Sequence, residues 1–402
     1  ETRNPAMNQD PISLHKHYVV NTYAPNLLLT RGEGSWVWDA AGNKYLDFLG
    51  GIAVIQVGHC HPRLVAAIQQ QAATLMHVSN LFYNENQPRL AAKLVEKFGG
   101  VGRAFFCNSG AEANEGLIKL ARLWGHDSGR YEIISMKNSF HGRTLATITA
   151  TGQTKYQKGF EPLPTGFVHA EYNNLDSVKA AVTEKTVAIL VEAVQGEGGV
   201  IPATPEFLCA LRALCDEKNL LLFCDEVQCG MGRTGRWFGF QAYGVQPDGC
   251  SLAKGLGGGL PIGAFVVGPK VSELFHPGHH ASTFGGNPVA CAAGLAVFDI
   301  LEQEKLLENA AQMGELLQSE LRALATKYPW MVEVRGLGMI QGLVLDHPAK
   351  EFEKALLAKG LIVIATADKV IRMLPPLNVS EAEVRESVKR FAEAAANYSK
   401  PL

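Results

Sequence analysis

The runs TVAILVEAV, residues 186–194, and NLLLFCDEV, residues 219–227, decide how this 402-residue chain is read. Neither alternates apolar with polar, as a strand with one wet face does; continuous apolar runs of this length fit strands covered on both sides. Between them PEFLCALRALCDEKN, residues 205–219, carries apolar residues at helical spacing. Working outward, RAFFCNSG (103–110) and YEIISM (131–136) read as further strands, and PRLVAAIQQQAATL (62–75), NQPRLAAKLVEKF (86–98) and AEANEGLIKLARLWG (111–125) as helices. Strands alternating with helices predict an α/β fold with a mostly parallel sheet between helical layers.

The length exceeds one comfortable core, so two domains are expected. The character changes near residue 287. The stretch 287–329 is long, rich in alanine and leucine and helical, with a linker helix expected near 288–310. VEVRGLGMIQGLVL (332–345), LIVIATADKVIRMLPPL (361–377) and the helical EAEVRESVKRFAEAAANY (381–398) complete a smaller α+β domain over 288–402. In NLLLTRGEGSWVWDAAGNKYLDF (26–48) two strands flank turn signals at Gly32–Gly34 and Gly42–Asn43. Residues 1–60 are assigned to the small domain and 61–287 to the large one.

Lys and Arg number 37 against 39 Asp and Glu, a net charge of −2, which gives no electrostatic reason to expect nucleic acid or an anionic membrane as partner. No apolar run reaches membrane-spanning length and no signal-peptide pattern opens the chain, so a cytoplasmic protein is expected. The opening ETRNPAMNQD lacks an initiator Met and reads as a processed or appended end. The eight cysteines, at 60, 107, 209, 215, 224, 229, 250 and 291, show neither a CxxC pair nor ligand spacing. They are read as reduced, mostly buried thiols, with no metal site.

Sites in open α/β sheets lie beyond the carboxyl ends of the strands. There NLLLFC delivers Asp225 and Glu226, and a charge at the end of a buried strand needs a partner. Downstream, CSLAKGLGGGLPIGA (250–264) sets Lys254 ahead of a glycine run. Upstream, FFCNSGAEANEGLIKLAR (105–122) is a strand, a loop and a helix start, where Ser109, Gly110 and Ala111 offer backbone N–H groups and a hydroxyl to a phosphate. Taken alone, Ser-Gly before a helix is equally a plain cap. Pyridoxal phosphate uses all three features: a lysine for its aldehyde, an acid for its ring nitrogen and a helix start for its phosphate.

The sequence resembles the class-III, fold-type I pyridoxal-phosphate aminotransferases, the group acting on ornithine, acetylornithine and 4-aminobutyrate. The resemblance rests on residues 225–264 and on NSGAEANEGLIKLAR (108–122), with NSFHGRT (138–144), VEAVQGEGGV (191–200), STFGGNP (282–288) and IRMLPPLNVS (371–380) in the family's order. It implies a fold-type I transferase in which Lys254 carries the cofactor and serves as general base and acid. Asp225 would face the pyridine nitrogen, Gln228 the phenolic oxygen, and Phe140 the ring. It implies carboxylate clamps at Arg143 and Arg372, both contacting a 2-oxo acid such as 2-oxoglutarate. Glu197 would cover Arg372 while the donor, reacting at its terminal amine, is bound. Ser282 and Thr283 would reach the phosphate of a partner subunit, implying a homodimer with sites at its interface, and Tyr83 and Asn84 would line the donor pocket. Glu192 reads as a supporting polar group with no assigned role. Within the group, GRTGRWFGFQAYGVQPD (232–248) most resembles the branch acting on N-acetylornithine; ornithine, succinylornithine and 4-aminobutyrate remain alternative donors, and a mutase on the same fold is the rival chemistry. Two departures stand out: Ala193 where the group has proline, and Gly116 inside a helix, where glycine costs up to about 1 kcal/mol relative to alanine.

Overall fold

The computed structural model describes residues 10–399; the opening residues 1–9, and most of the stretch read as a processed end, lie outside the described residues. Its central sheet contains seven strands among the described residues: β1 (Arg103–Cys107), β2 (Glu132–Met136), β3 (Phe167–Ala170), β4 (Thr186–Glu192), β5 (Leu221–Asp225), β6 (Gly249–Leu252) and β7 (Gly263–Val267). They lie in the order β1-β7-β6-β5-β4-β2-β3. All pairs between β6 and β3 are parallel, whereas β7 runs antiparallel to both β6 and β1. The mostly parallel sheet therefore has one reversed strand. GAFVV continues out of a glycine-rich loop and turns straight back beside β6, a return too short for a helical crossover.

Every residue of β4 and β5 is buried. Burying side chains such as Leu221, Leu222 and Phe223 is worth about 1.5–3 kcal/mol each, which is why these runs occupy the middle of the sheet. The connecting helix Pro205–Glu217 starts at Thr204, whose hydroxyl accepts from the Phe207 amide at 3.2 Å, with Pro205 in the first turn. Asn219, at φ 49°, turns the chain back into β5. Asp225 and Glu192 are register partners, so two carboxyls arrive side by side at the carboxyl edge.

The N-terminal segment forms three strands rather than two, Leu29–Glu33, Trp36–Asp39 and Lys44–Asp47, paired antiparallel. The third is joined in parallel by Leu361–Ile362 from the far end of the chain. A second four-stranded sheet is built from Met331–Leu337, Ile340–Leu345, Ile364–Thr366 and Val370–Met373. The long helical stretch after residue 287 is broken: Pro288–Gln303 and Leu306–Ala325 are separate helices, because Lys305 takes φ 53° between them. Of the cysteines, all unpaired, Cys60 and Cys209 are exposed and the other six buried.

Gly116 is a packing requirement. A Cβ placed there would lie 2.4 Å from Cε1 of Phe265, whose buried ring stacks on Phe105 at 5.2 Å. The helix Gly110–Gly125 thus approaches β7 more closely than any side chain allows. Overpacking costs about 1–3 kcal/mol, against a propensity gain of at most about 1 kcal/mol. Gly116→Ala is therefore expected to lower the melting temperature; an unchanged or higher value in differential scanning calorimetry would show that Phe265 yields freely.

Candidate active site

At the carboxyl edge the ends of β4, β5 and β6 meet the start of the helix Gly110–Gly125 around a cavity of ≈ 140 Å³. Its lining includes Gly110, Ala111, Phe140, Glu192, Asp225, Gln228 and Lys254. Segments far apart in sequence are thus brought to one place.

Asp225 is buried and fully engaged. Its Oδ1 accepts from the Val227 amide at 3.0 Å, and its Oδ2 from Asn114 Nδ2 at 2.8 Å; His141 Nδ1 lies 2.8 Å from the same oxygen. These three partners keep the carboxylate in one orientation. Asn114 and His141 were missed in the sequence. A signal existed for the first, since asparagine is a poor residue for a helix interior. The Nε2 of His141 and the Oδ1 of Asn114 are buried without a partner among the described residues.

Lys254 sits at φ 44°, in the left-handed region that a lysine rarely adopts. Its side-chain amine makes no hydrogen bond among the described residues. Burial, and next the Arg372 guanidinium, push its pKa down to about 8, against the pull of Glu197, Asp225 and Glu192. The glycine after it admits a neighbour: a Cβ at Gly255 would lie 2.3 Å from Cγ of Gln56. Gln56 in turn accepts from the buried Arg233, which also donates to the carbonyls of Met339 and Pro375. Arg233 has no carboxylate partner among the described residues, and burial pushes its pKa down to about 9. It ties the N-terminal segment and the stretch after Arg372 to the loop that follows Asp225.

Glu192 accepts from the Phe140 amide at 3.2 Å, and burial followed by the adjacent Asp225 carboxylate raises its pKa well above the usual range. The two neighbouring acids thus differ: one is held by three donors, the other pushed toward its protonated form.

Arg372, 1 % exposed on Val370–Met373, donates through Nη1 to Glu197 Oε1 at 2.7 Å and to Gln228 Oε1 at 3.2 Å. Gln228 Nε2 donates to the same Glu197 oxygen at 3.2 Å, closing a triangle. Burial alone would raise the Glu197 pKa, but Arg372 overrides it and holds the carboxyl below its usual value.

The other predicted residues are not among those lining this cavity. The Ser109 hydroxyl caps its own helix, accepting from the Glu112 amide at 3.2 Å. Ser282 Oγ accepts from the Gly285 amide at 2.9 Å, and Thr283 is exposed. Asn84 is buried and donates to the Gly286 carbonyl at 3.3 Å, while Tyr83 is 102 % exposed. Arg143 is exposed, with its guanidinium carbon 5.2 Å from the Phe140 ring centroid. Among the described residues no cluster of His, Cys, Asp or Glu fits a metal ion, and no helix is long and apolar enough to cross a membrane.

An amine without a hydrogen-bond partner among the described residues, a carboxyl held by three partners and the backbone of a helix start, all facing one cavity, fit an aldehyde, a ring nitrogen and a phosphate on one molecule. Fold and site define a pyridoxal-phosphate-dependent enzyme. The sequence model described as aminotransferase class-III matches residues 18–395, and the chain belongs to that family, a family of pyridoxal-5′-phosphate-dependent transaminases. It is 50% identical over 376 residues to the acetylornithine aminotransferase of Nitrosomonas europaea, covering 92% of this chain and 95% of that one. It is 48% identical over 395 residues to that of Methanocaldococcus jannaschii, covering 97% and 98%. Among solved structures it resembles ornithine aminotransferase from Toxoplasma gondii, with a TM-score of 0.91, 34% identity and coverage of 95% and 93%. It also resembles N-acetylornithine aminotransferase from Stenotrophomonas maltophilia, with a TM-score of 0.83, 36% identity and coverage of 96% and 98%.

Proposed function

We propose that this transaminase moves the terminal amino group of N-acetylornithine to 2-oxoglutarate, giving the semialdehyde and glutamate in a ping-pong cycle that serves arginine biosynthesis. The observation that carries the two-substrate part is the buried Arg372–Glu197 pair at 2.7 Å, hinged on Gln228 beside Lys254. An amine donor reacting at its far end brings no carboxylate next to the reacting carbon, and an uncovered Arg372 would then be a buried, unpaired charge. Glu197 covers it. When 2-oxoglutarate arrives, its 1-carboxylate takes the place of Glu197 and its distal carboxylate takes Arg143. A mutase has no use for this exchange. The identities of about 50% to acetylornithine aminotransferases support the choice of donor.

Bound pyridoxal phosphate supplies the electrophilic carbonyl and the electron sink of the reaction. Gly110 and Ala111 would hold its phosphate, Phe140 its ring face and Gln228 its phenolic oxygen. Asp225 would face the ring nitrogen, with Asn114 and His141 fixing the direction of its carboxyl. Lys254 Nζ would hold the cofactor's aldehyde and would serve as general base and acid toward the substrate carbon that bears nitrogen. Glu192, pushed toward its protonated form by burial and the adjacent Asp225, borders the cavity.

The assembly proposed is a homodimer in the cytoplasm with its sites at the subunit interface. Exposed Met76, Leu81, Phe82, Tyr83 and Phe284 support it, as an apolar surface beside the loop carrying Ser282 and Thr283; Asn80 Nδ2 ties the two segments, donating to the Ser282 carbonyl at 2.8 Å. Across that interface Ser282 and Thr283 would serve the partner's phosphate, and Tyr83 and Asn84 the donor pocket. The unpaired cysteines support a reducing compartment. We retain residues 1–60 with 288–402 as the small domain and 61–287 as the large one.

The test is a donor panel of N-acetylornithine, ornithine, succinylornithine, 4-aminobutyrate and lysine, ranked by kcat/KM with 2-oxoglutarate. N-acetylornithine should lead; another donor at the top would replace it, and turnover without an oxo acid would mean a mutase. The exchange has its own test in Glu197→Ala. With Arg372 uncovered, selectivity for N-acetylornithine over glutamate as donor should fall about tenfold to a hundredfold, the worth of one charge-assisted hydrogen bond. An unchanged ratio would remove Glu197 from the exchange.

A further inference from the structure

Tyr156 sits on the short helical turn Thr154–Tyr156, inside a polar stretch that reads as surface loop. The structure gives it two cationic neighbours. The Arg143 guanidinium carbon lies 4.0 Å from its ring centroid, and Lys155 Nζ lies 4.8 Å from it. The ring meets Phe140 edge-on, with centroids 5.9 Å apart and planes at 88°. Phe140 lines the cavity, so Phe140, Tyr156 and Arg143 form one packed unit reaching outward from the cavity wall. Among the described residues neither Arg143 nor Lys155 forms an ion pair, and Arg143 donates no hydrogen bond. A ring within about 6 Å attracts a cation without occupying its N–H groups. The planar fork of Arg143 is therefore held in place with its donors free, the condition in which a guanidinium grips a carboxylate with least ordering cost.

We propose that Tyr156 is a positioning residue for carboxylate binding: its ring presents Arg143 to the substrate carboxylate farthest from the reacting carbon. The substrates concerned are ω-amino acids and dicarboxylic 2-oxo acids. This deepens the reading of Arg143 as a clamp and rests on it. Lys155, over the same ring, adds positive charge to the approach.

The readout is the ratio of kcat/KM for 2-oxoglutarate to that for 2-oxobutyrate, which lacks the distal carboxylate; general loss of folding lowers both values and leaves the ratio. Arg143→Ala should lower it about tenfold to a hundredfold. Tyr156→Leu should lower it about threefold to tenfold, and Tyr156→Phe, which keeps the ring, should restore it. A normal ratio in Tyr156→Leu, or equal losses with both oxo acids, overturns the proposal while a drop in Arg143→Ala leaves the clamp standing. An unchanged ratio in Arg143→Ala overturns the clamp, and the role of Tyr156 with it.

Discussion

Lys254→Ala is expected to reduce turnover by at least about 10⁴-fold, because the role proposed for this one side chain is both to anchor the cofactor and to move the proton, and general acid–base catalysis alone contributes about 10²–10⁴. Single-turnover absorbance with N-acetylornithine would measure it, and undiminished turnover would overturn the assignment. The unusual environment of this amine adds a pH signature. With a pKa of about 8, its neutral, nucleophilic form should dominate above that pH. Cofactor uptake by the apoprotein should then rise through pH 8 and level off, where an ordinary lysine would climb on toward about 10.4. Stability follows the same displacement. Between about pH 8 and the unfolded value the unfolded chain binds more protons, so the wild-type apoprotein should gain stability as pH rises, and Lys254→Ala should lose that contribution to the slope.

Asp225→Asn is expected to cost about 10³-fold in kcat. A charge pair at about 4 Å in an effective dielectric of about 20 is worth roughly 4 kcal/mol, or about three pK units on the group it faces. The amide is nearly isosteric, yet it loses the charge and presents N–H groups where Asn114 Nδ2 now donates at 2.8 Å and His141 Nδ1 approaches at 2.8 Å. Leaving a buried donor unmatched costs a further 1–3 kcal/mol or so, which should appear as a lower melting temperature. Kinetics and calorimetry together separate the effects; a variant destabilised but fully active would show that Asp225 is structural.

The parts of this molecule that could be read along the chain are those whose cause is local. The strands at 186–192 and 221–225 announce themselves by composition, and the helix start at Ser109 by its capping residue. The approach of Asp225, Lys254 and Arg372 is legible only through resemblance, since nothing in their spacing brings three distant segments together. What stayed hidden depends on contacts between distant segments. Gly116 reads as a weak point in a helix until Phe265 is found against it. The strand Gly263–Val267 is masked by the glycines that lead into it. His141 is one histidine among twelve until Asp225 stands beside it, and Tyr156 sits in a segment polar enough to pass for surface. Glu192 had no role because its neighbour in the sheet, Asp225, lies a whole helix away in sequence.

The pairing of Lys44–Asp47 with Leu361–Ile362 has a consequence for synthesis. During translation the early strands emerge and then wait for a partner made almost at the end, with an open strand edge that invites mispairing in the meantime. Arg372 lies ten residues beyond the end of that late strand, Ile362. A ribosome stalled before it would release a product with the central sheet complete and without the arginine proposed to take the acceptor's 1-carboxylate.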